Sequence, residues 1–210
     1  MIKVLIVDDH TIVRDGLKQI LDETSDIVVA AEAGNGQEAI GKVRENEYDV
    51  VLLDVAMPGF DGLSVMKVLQ EEKPSLAVLI LSMYPEEQYA VRCLKAGAAG
   101  YLTKESASDE LIQAIRRVAG GGRYVTRSLA EKLALNLTGQ AVEQPHEILS
   151  DREYQVMRLI ASGKTVGEIA AELSLSVKTV STYRARALDK LKLNNNAELM
   201  RYAISRGLVQ

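Results

Sequence analysis

Asp8 and Asp9 follow the apolar run Val4–Val7, and Asp54 follows a second run, Val50–Leu53. If the two runs are neighbouring strands of one sheet, three carboxylates converge at their ends. Carboxylates held that close raise one another's pKa unless a cation sits among them. A hard divalent ion answers that need, and Mg2+ suits a site with few carboxylates that keeps several waters. Two further groups fall at matching places: Ser82 after Ala77–Leu81, and Thr103-Lys104 after Gly100–Leu102. A hydroxyl and an ammonium facing a metal-bound carboxylate make a phosphoryl-handling site. Metal and ammonium offset charge on the non-bridging oxygens, the hydroxyl donates to one of them, and the carboxylate is the nucleophile. Singly, each residue has a plainer role: Asp8 and Asp9 as helix caps, Asp54 in a turn, Ser82 as a strand-end cap, Lys104 as a solvated charge. Their convergence is what favours chemistry.

That convergence requires a parallel sheet. The runs Val4–Val7, Ile27–Ala31, Val50–Leu53, Ala77–Leu81 and Gly100–Leu102 place apolar residues consecutively, as strands covered on both faces do. Leu17/Ile20/Leu21, Ala39/Ile40/Val43, Val65/Val68/Leu69, Ala90/Val91/Leu94 and Leu111/Ile112/Ile115/Val118 recur between and after them at helical spacing. Strands alternating with helices predict an α/β fold, a (βα)5 doubly wound parallel sheet of flavodoxin-like order 2-1-3-4-5 with right-handed crossovers. Its crevice lies at the C-terminal ends of strands 1 and 3, where the acids fall. Met57-Pro58-Gly59 and Asp61-Gly62 shape a turn beside Asp54. Cys93, on the apolar side of the fourth helix, reads as core. His10, opening the first helix beside two acids, reads as a capping or supporting group rather than a ligand or phosphoryl carrier.

A chain that is 47% hydrophobic and 26% charged is globular rather than disordered. No apolar run approaches the ~18 residues that a membrane helix needs. The start of the chain lacks a signal-peptide core, and the single cysteine excludes an intramolecular disulfide framework, so a cytoplasmic location is expected. The net charge of −4 hides a split: residues 150–210 carry +4 and the remainder −8. The C-terminal part therefore suits a polyanion. Gly120-Gly121-Gly122 and a polar stretch near Gln144-Pro145 mark a boundary. The expected layout is a domain over 1–120, a linker over 121–147 with a short helix over Ser128–Leu137, and an all-α domain over 148–210.

In that last domain Ser150 and Glu153 form a capping box. Val156/Leu159/Ile160 give the first helix its buried face. Thr165 caps Val166–Leu173, Ser174-Leu175-Ser176 makes a tight break, Val177–Leu191 follows, and a last helix spans Ala197–Arg206. Two helices joined by a few residues, the second rich in Lys, Arg, Ser and Thr, read as a helix-turn-helix. Val180, Ala187 and Leu191 pack inward. Lys178, Ser181, Thr182, Arg184, Ala185 and Arg186 make a face suited to a major groove, and Thr165, Lys178 and Thr179 sit where helix N-termini can clamp phosphate.

The segments Val7-Asp8-Asp9-His10, Leu53-Asp54 through Asp61-Gly62, Leu81-Ser82 and Gly100-Tyr101-Leu102-Thr103-Lys104 resemble the receiver domain of bacterial two-component response regulators, over residues 1–118. The resemblance implies that Asp54 is the phospho-acceptor and that Asp8 and Asp9, with the Ala56 carbonyl, hold Mg2+. It also implies that Ser82 and Tyr101 are the switch pair and that Lys104 contacts the phosphoryl group. Glu105 stands where many receivers have proline, so no cis peptide is expected there. Leu149–Glu153, Gly167–Ala170, Ser176–Val180 and Lys190-Leu191 resemble the LuxR-type helix-turn-helix, and the two together resemble the NarL/FixJ class. Val180–Arg186 is similar to the GacA/UvrY branch, with Tyr183 where many relatives have histidine. In this class the last helix dimerises, which nominates Ala197, Met200, Ala203 and Ile204.

The resemblance implies a transcription regulator, not a turnover enzyme, that catalyses only its own phosphorylation and dephosphorylation at Asp54. Its partners would be a sensor histidine kinase, a double-stranded DNA operator, RNA polymerase and a second copy of itself when phosphorylated, with no membrane. At rest its receiver would cover the reader domain. Three alternatives are a haloacid-dehalogenase-type phosphatase, a flavodoxin-like cofactor carrier, and a regulator that binds DNA or proteins without phosphorylation. The first wants an Asp-x-Asp nucleophile on strand 1, and the second a Ser/Thr/Gly phosphate loop there. The third keeps the same residues.

Overall fold

A computed structural model describes residues 1–55, 57, 62–83, 86–126, 129–131 and 145–209. The chain divides into two compact units, Met1–Thr138 and Gly139–Gln210. In the first unit β1 (Ile2–Val7), β2 (Ile27–Ala33), β3 (Val50–Leu53), β4 (Ala77–Ser82) and β5 (Gly100–Thr103) alternate with α1 (Thr11–Asp22), α2 (Gly36–Glu45), α3 (Gly62–Glu72), α4 (Glu86–Lys95) and α5 (Ser108–Ala119). The sheet is parallel, in the expected order 2-1-3-4-5. β1, β3 and β4 are buried on both faces, whereas the edge strand β2 is partly exposed. This follows from helices packing on either side of consecutive Val, Ile and Leu residues. Cys93 is fully buried, as expected.

The first unit continues beyond the five-fold strand-and-helix alternation that periodicity reveals. After α5 the chain turns back at Gly121 (φ +79) and runs along the outer edge of β5. Tyr124 donates its amide to the Ala99 carbonyl at 2.9 Å and bridges Gly100. A Cβ on Gly100 would lie 2.7 Å from the Tyr124 carbonyl oxygen, so this approach requires glycine. The Tyr124 hydroxyl donates to Glu110 at 3.0 Å, and burial together with that carboxylate pushes its pKa up to about 12. Two residues on, the Thr126 hydroxyl lies 2.6 Å from both Glu86 carboxylate oxygens at the start of α4. Residues 122–126, assigned to the linker by composition, therefore pack as part of the first unit. Of the linker helix expected over Ser128–Leu137, residues 129–131 are helical and the remainder lies outside the described residues.

The second unit opens with a 3-10 turn, Pro145–Ile148, followed by α6 (Asp151–Ala161), α7 (Val166–Glu172), α8 (Val177–Leu191) and α9 (Asn196–Ser205). Its core takes Val156, Ile160, Ile169, Leu173, Val180, Ala187 and Leu199, joined by Tyr154 and Met157. The capping box at Ser150 and Glu153 is formed, and Thr165 makes a second one with Glu168. Glu153 also accepts from Lys190 Nζ of α8 at 2.7 Å. Burial pushes the Glu153 carboxyl up, but Lys190 and the Ser150 amide outweigh it and hold the pKa below the ordinary range. A depressed carboxyl stabilises the fold above its unfolded pKa of about 4.3, and this contribution disappears as pH falls through the lower folded value. Glu153→Gln should therefore cost about 2 kcal/mol at neutral pH and flatten the loss of stability below about pH 4, as read by thermal melts.

Candidate functional site

Backbone pairing places the predicted residues. The sheet ladder continues one residue beyond three strands: Asp8 donates its amide to Ala33, Asp54 to Val7 and Lys104 to Ser82, at 2.8–3.1 Å. Val7 pairs with Leu53 and Ser82 with Thr103, so the residues that follow share one rim. Asp8 and Asp54 are only 2% exposed. Lys104 Nζ reaches between them, 2.6 Å from Asp8 Oδ2 and 2.8 Å from Asp54 Oδ2. Burial pushes the ammonium down, yet the Asp54 charge and hydrogen bonds to both carboxylates outweigh it, and the pKa ends above the ordinary lysine value. Ser82 is fully buried at the end of β4. Tyr101, which the resemblance pairs with Ser82 as a switch residue, is fully buried on β5, with Tyr124 lying along the edge of that strand.

Ligand atoms of Asp8, Asp9, His10 and Asp54 lie within 4.8 Å of one another. Asp9 Oδ1 is shielded from solvent and accepts no hydrogen bond among the described residues. An anionic oxygen in that condition wants a cation, so the donor set fits a divalent ion. Ala56, whose carbonyl the resemblance assigns to the metal, lies outside the described residues.

One contributor, Arg14, escaped the sequence reading, and two that it named, Gly62 and His10, act in ways it did not give. Arg14 on α1 donates Nη1 to the Asp8 carbonyl at 2.7 Å and Nε to Glu32 at 3.2 Å, pinning the loop that carries both acids. Gly62 opens α3 so close to the acceptor loop that a Cβ would stand 2.5 Å from the Asp54 carbonyl oxygen. His10 occupies the N-cap position of α1, but its side chain makes no cap bond and turns to Asp8 and Asp9. No spacing rule signals the first two, since each depends on a tertiary approach.

In the second unit, α7 and α8 are joined by Ser174, which takes φ +52, and the Leu175 amide closes the turn on the Ala170 carbonyl at 2.9 Å. Lys178, Thr182, Ala185 and Arg186 are exposed on α8, and Thr179 and Ser181 are half-buried. The Thr182 hydroxyl donates to the Lys178 carbonyl at 2.9 Å. Arg184 is half-buried, and its Nε donates to Asn196 at the start of α9, an intramolecular use that sequence spacing does not reveal. Thr165 and Thr179 are already engaged: the Thr165 amide and hydroxyl donate to Glu168, and the Thr179 amide donates to the Ser176 hydroxyl oxygen. On α9, Ala197 and Ile204 are exposed and Met200 half-buried, but Ala203 is fully buried in its own domain. Ala203 is thereby removed from the nominated dimer face, because it lies on the stripe that packs inward.

Residues 4–116 match the response regulator receiver domain, and residues 147–203 match the luxR family of bacterial regulatory proteins. The chain belongs to the LuxR-type response regulators. It is 40% identical over 209 residues to Response regulator UvrY of Escherichia coli K12, covering 99% of this chain and 96% of that one. It is equally 40% identical to Response regulator GacA of Pseudomonas aeruginosa, covering 100% and 98%. Among solved structures it is similar to RcsB of Salmonella enterica serovar Typhimurium bound to promoter rprA in the presence of phosphomimetic BeF3-, with TM-score 0.66, 27% identity and coverage of 96% and 97%. A LuxR-type response regulator is a DNA-binding transcription factor of a two-component system, with the receiver as its N-terminal module. No helix among the described residues of this regulator is long and apolar enough to cross a membrane.

Proposed function

We propose that Asp54 accepts a phosphoryl group from a sensor histidine kinase, and that the modified chain pairs with a second copy to bind DNA half-sites. The observation that carries this is the Lys104 ammonium held between the buried carboxylates of Asp8 and Asp54. Asp54 presents one oxygen to the donor. Its O–P bond forms as the P–N bond to the kinase histidine breaks, and Lys104 moves from pairing two carboxylates to offsetting the incoming phosphoryl oxygens. Mg2+ held by Asp8, Asp9 and Asp54 would supply further charge neutralisation. Attack by water on the acyl phosphate later returns Asp54 and inorganic phosphate, so the chain serves as its own catalyst in both directions without turnover of an outside substrate.

Ser82 at the end of β4 donates to the new dianion and draws the β4–α4 loop inward, and the packing around Tyr101 on β5 adjusts with it. This is a shift between two packings rather than a rigid lever. Reading of DNA falls to Lys178, Ser181, Thr182, Ala185 and Arg186 on α8. Ala197, Met200 and Ile204 form the α9 contact between copies, and pairing doubles the phosphates engaged, so a distant modification changes affinity steeply. RcsB, by comparison, is known as two dimers bound to two parallel DNAs. RNA polymerase is the further partner that an activator at such a site would meet, and the cytoplasm the compartment where kinase and DNA are both within reach.

Incubation with acetyl phosphate and Mg2+ should label the wild-type chain with one acyl phosphate and leave Asp54→Asn unlabelled, by intact mass. Undiminished labelling of the variant would overturn the acceptor assignment. Operator binding that is indifferent to the phosphodonor would favour a phosphorylation-independent regulator. Arg186→Ala should weaken binding roughly 10-fold and lower the salt dependence by about one counterion if it meets phosphate; relaxed sequence preference with an unchanged slope would assign it to a base edge.

A further inference from the structure

The Thr126 hydroxyl joins two elements that the sheet does not connect. It donates to the Glu86 carboxylate at the start of α4, 2.6 Å from both oxygens. The same hydroxyl oxygen accepts the Leu129 amide at 3.2 Å, and the Thr126 carbonyl accepts the Ala130 amide at 3.0 Å. Thr126 thereby caps the helical residues 129–131, of which Leu129 is buried. We infer that this hydroxyl is a relay from the switch to the linker. Its bond to Glu86 holds the linker while Lys104 pairs with Asp54, and modification of Asp54 breaks that bond and frees the chain that follows Thr126. This rests on the Ser82 movement in the proposed function and concerns how that movement leaves the first unit.

Three features set this hydroxyl apart from an ordinary helix cap. A hydroxyl whose proton goes to a carboxylate accepts more strongly, so loss of the Glu86 bond also weakens the Leu129 cap. Two residues earlier the chain is fixed to other elements: the Tyr124 amide to the Ala99 carbonyl at 2.9 Å, and the Tyr124 hydroxyl to Glu110 of α5 at 3.0 Å. Tyr124 therefore stays with β5 and α5 while Thr126 follows α4, and displacement between them falls on the residues that lead into the linker. Finally, Glu86 stands four residues after Ser82 in the chain. A loop drawn inward at Ser82 displaces the first turn of α4, and a shift of ~1 Å takes so short a contact out of hydrogen-bond range.

Amide hydrogen exchange of the full-length chain, read residue by residue by NMR with and without beryllofluoride and Mg2+, tests this. A bound fluorine resonance reports occupancy at Asp54, and protection of the Tyr124 amide reports that the first unit is folded in each variant. In wild type the Leu129 and Ala130 amides should exchange about 10-fold faster with beryllofluoride, while Tyr124 stays within about twofold. Glu86→Ala leaves the Thr126 cap in place, yet should show the fast rates without beryllofluoride and no further change with it. Thr126→Ser, which keeps the hydroxyl, should retain the wild-type response. Wild-type rates in Glu86→Ala would make the threonine a cap alone and overturn the inference. Leu129 and Ala130 amides indifferent to bound beryllofluoride would also overturn it, leaving phosphorylation at Asp54 standing. Absence of a bound fluorine signal, or one that survives Asp54→Asn, overturns both.

Discussion

Lys104→Met should lose about 3–5 kcal/mol of receiver stability when divalent ions are chelated, and regain most of it in millimolar Mg2+. The ammonium now sits 2.6 Å and 2.8 Å from two carboxylates that are almost wholly buried. Methionine preserves the length of the side chain and removes the charge, so what remains is two anions facing each other with little water. A divalent cation among them replaces the missing charge, and its binding free energy adds to the fold by linkage. Urea titrations of wild type and variant, each with chelator and with Mg2+, give the four values needed. Equal destabilisation under both conditions would mean that the lysine serves packing and that no cation enters. The same variant should label with acetyl phosphate about 100-fold more slowly, since a positioned charge on the transferring group is lost.

Gly62→Ala should be nearly as damaging although it adds one methyl group. The new carbon would stand 2.5 Å from both the Asp54 carbonyl oxygen and the Val55 Cα. Neither is the end of a flexible side chain, so α3 must move away from the acceptor loop or the loop must yield. The expected cost is about 3 kcal/mol, with labelling of Asp54 slowed about 100-fold because the carboxylate is displaced. Gly16 in α1 is the matched control, having no atom within 4 Å of where its Cβ would be. Gly16→Ala should add about 0.5–1 kcal/mol and leave labelling unchanged. If the two substitutions behave alike, crowding at the acceptor loop is not what Gly62 relieves.

These two residues also mark how far the sequence alone reaches. The parallel sheet is legible because consecutive Val, Ile and Leu residues in Val4–Val7, Val50–Leu53 and Ala77–Leu81 have a single solution, burial on both faces. Once the strand order follows, Asp8, Asp54, Ser82 and Lys104 must meet, since each ends a strand on the same rim. α8 was legible to the residue, Val177–Leu191, because its break, cap and apolar stripe agree. What periodicity does not encode is reach across the fold. The Arg14 grip on the Asp8 carbonyl depends on a long side chain crossing a loop, and the Arg184 bond to Asn196 joins two helices whose crossing no local pattern specifies. Ala203 illustrates the limit on helices: a small residue on α9 fits either side of the stripe boundary, and only the packing of Leu199 and its neighbours decides that it faces inward.

The short return of the chain past Gly100 has a bearing on solubility. A parallel sheet ordinarily has two raw margins, each offering rows of amides and carbonyls to any passing strand. Here the margin at β5 is occupied from within by Tyr124, held by a threonine two residues later and made possible by a glycine that leaves no room for anything larger. A receiver fragment that stops at Gly120 would uncover that margin, and strand addition between copies would begin there. The fragment that behaves as a monomer must carry its own selvedge at least through Thr126.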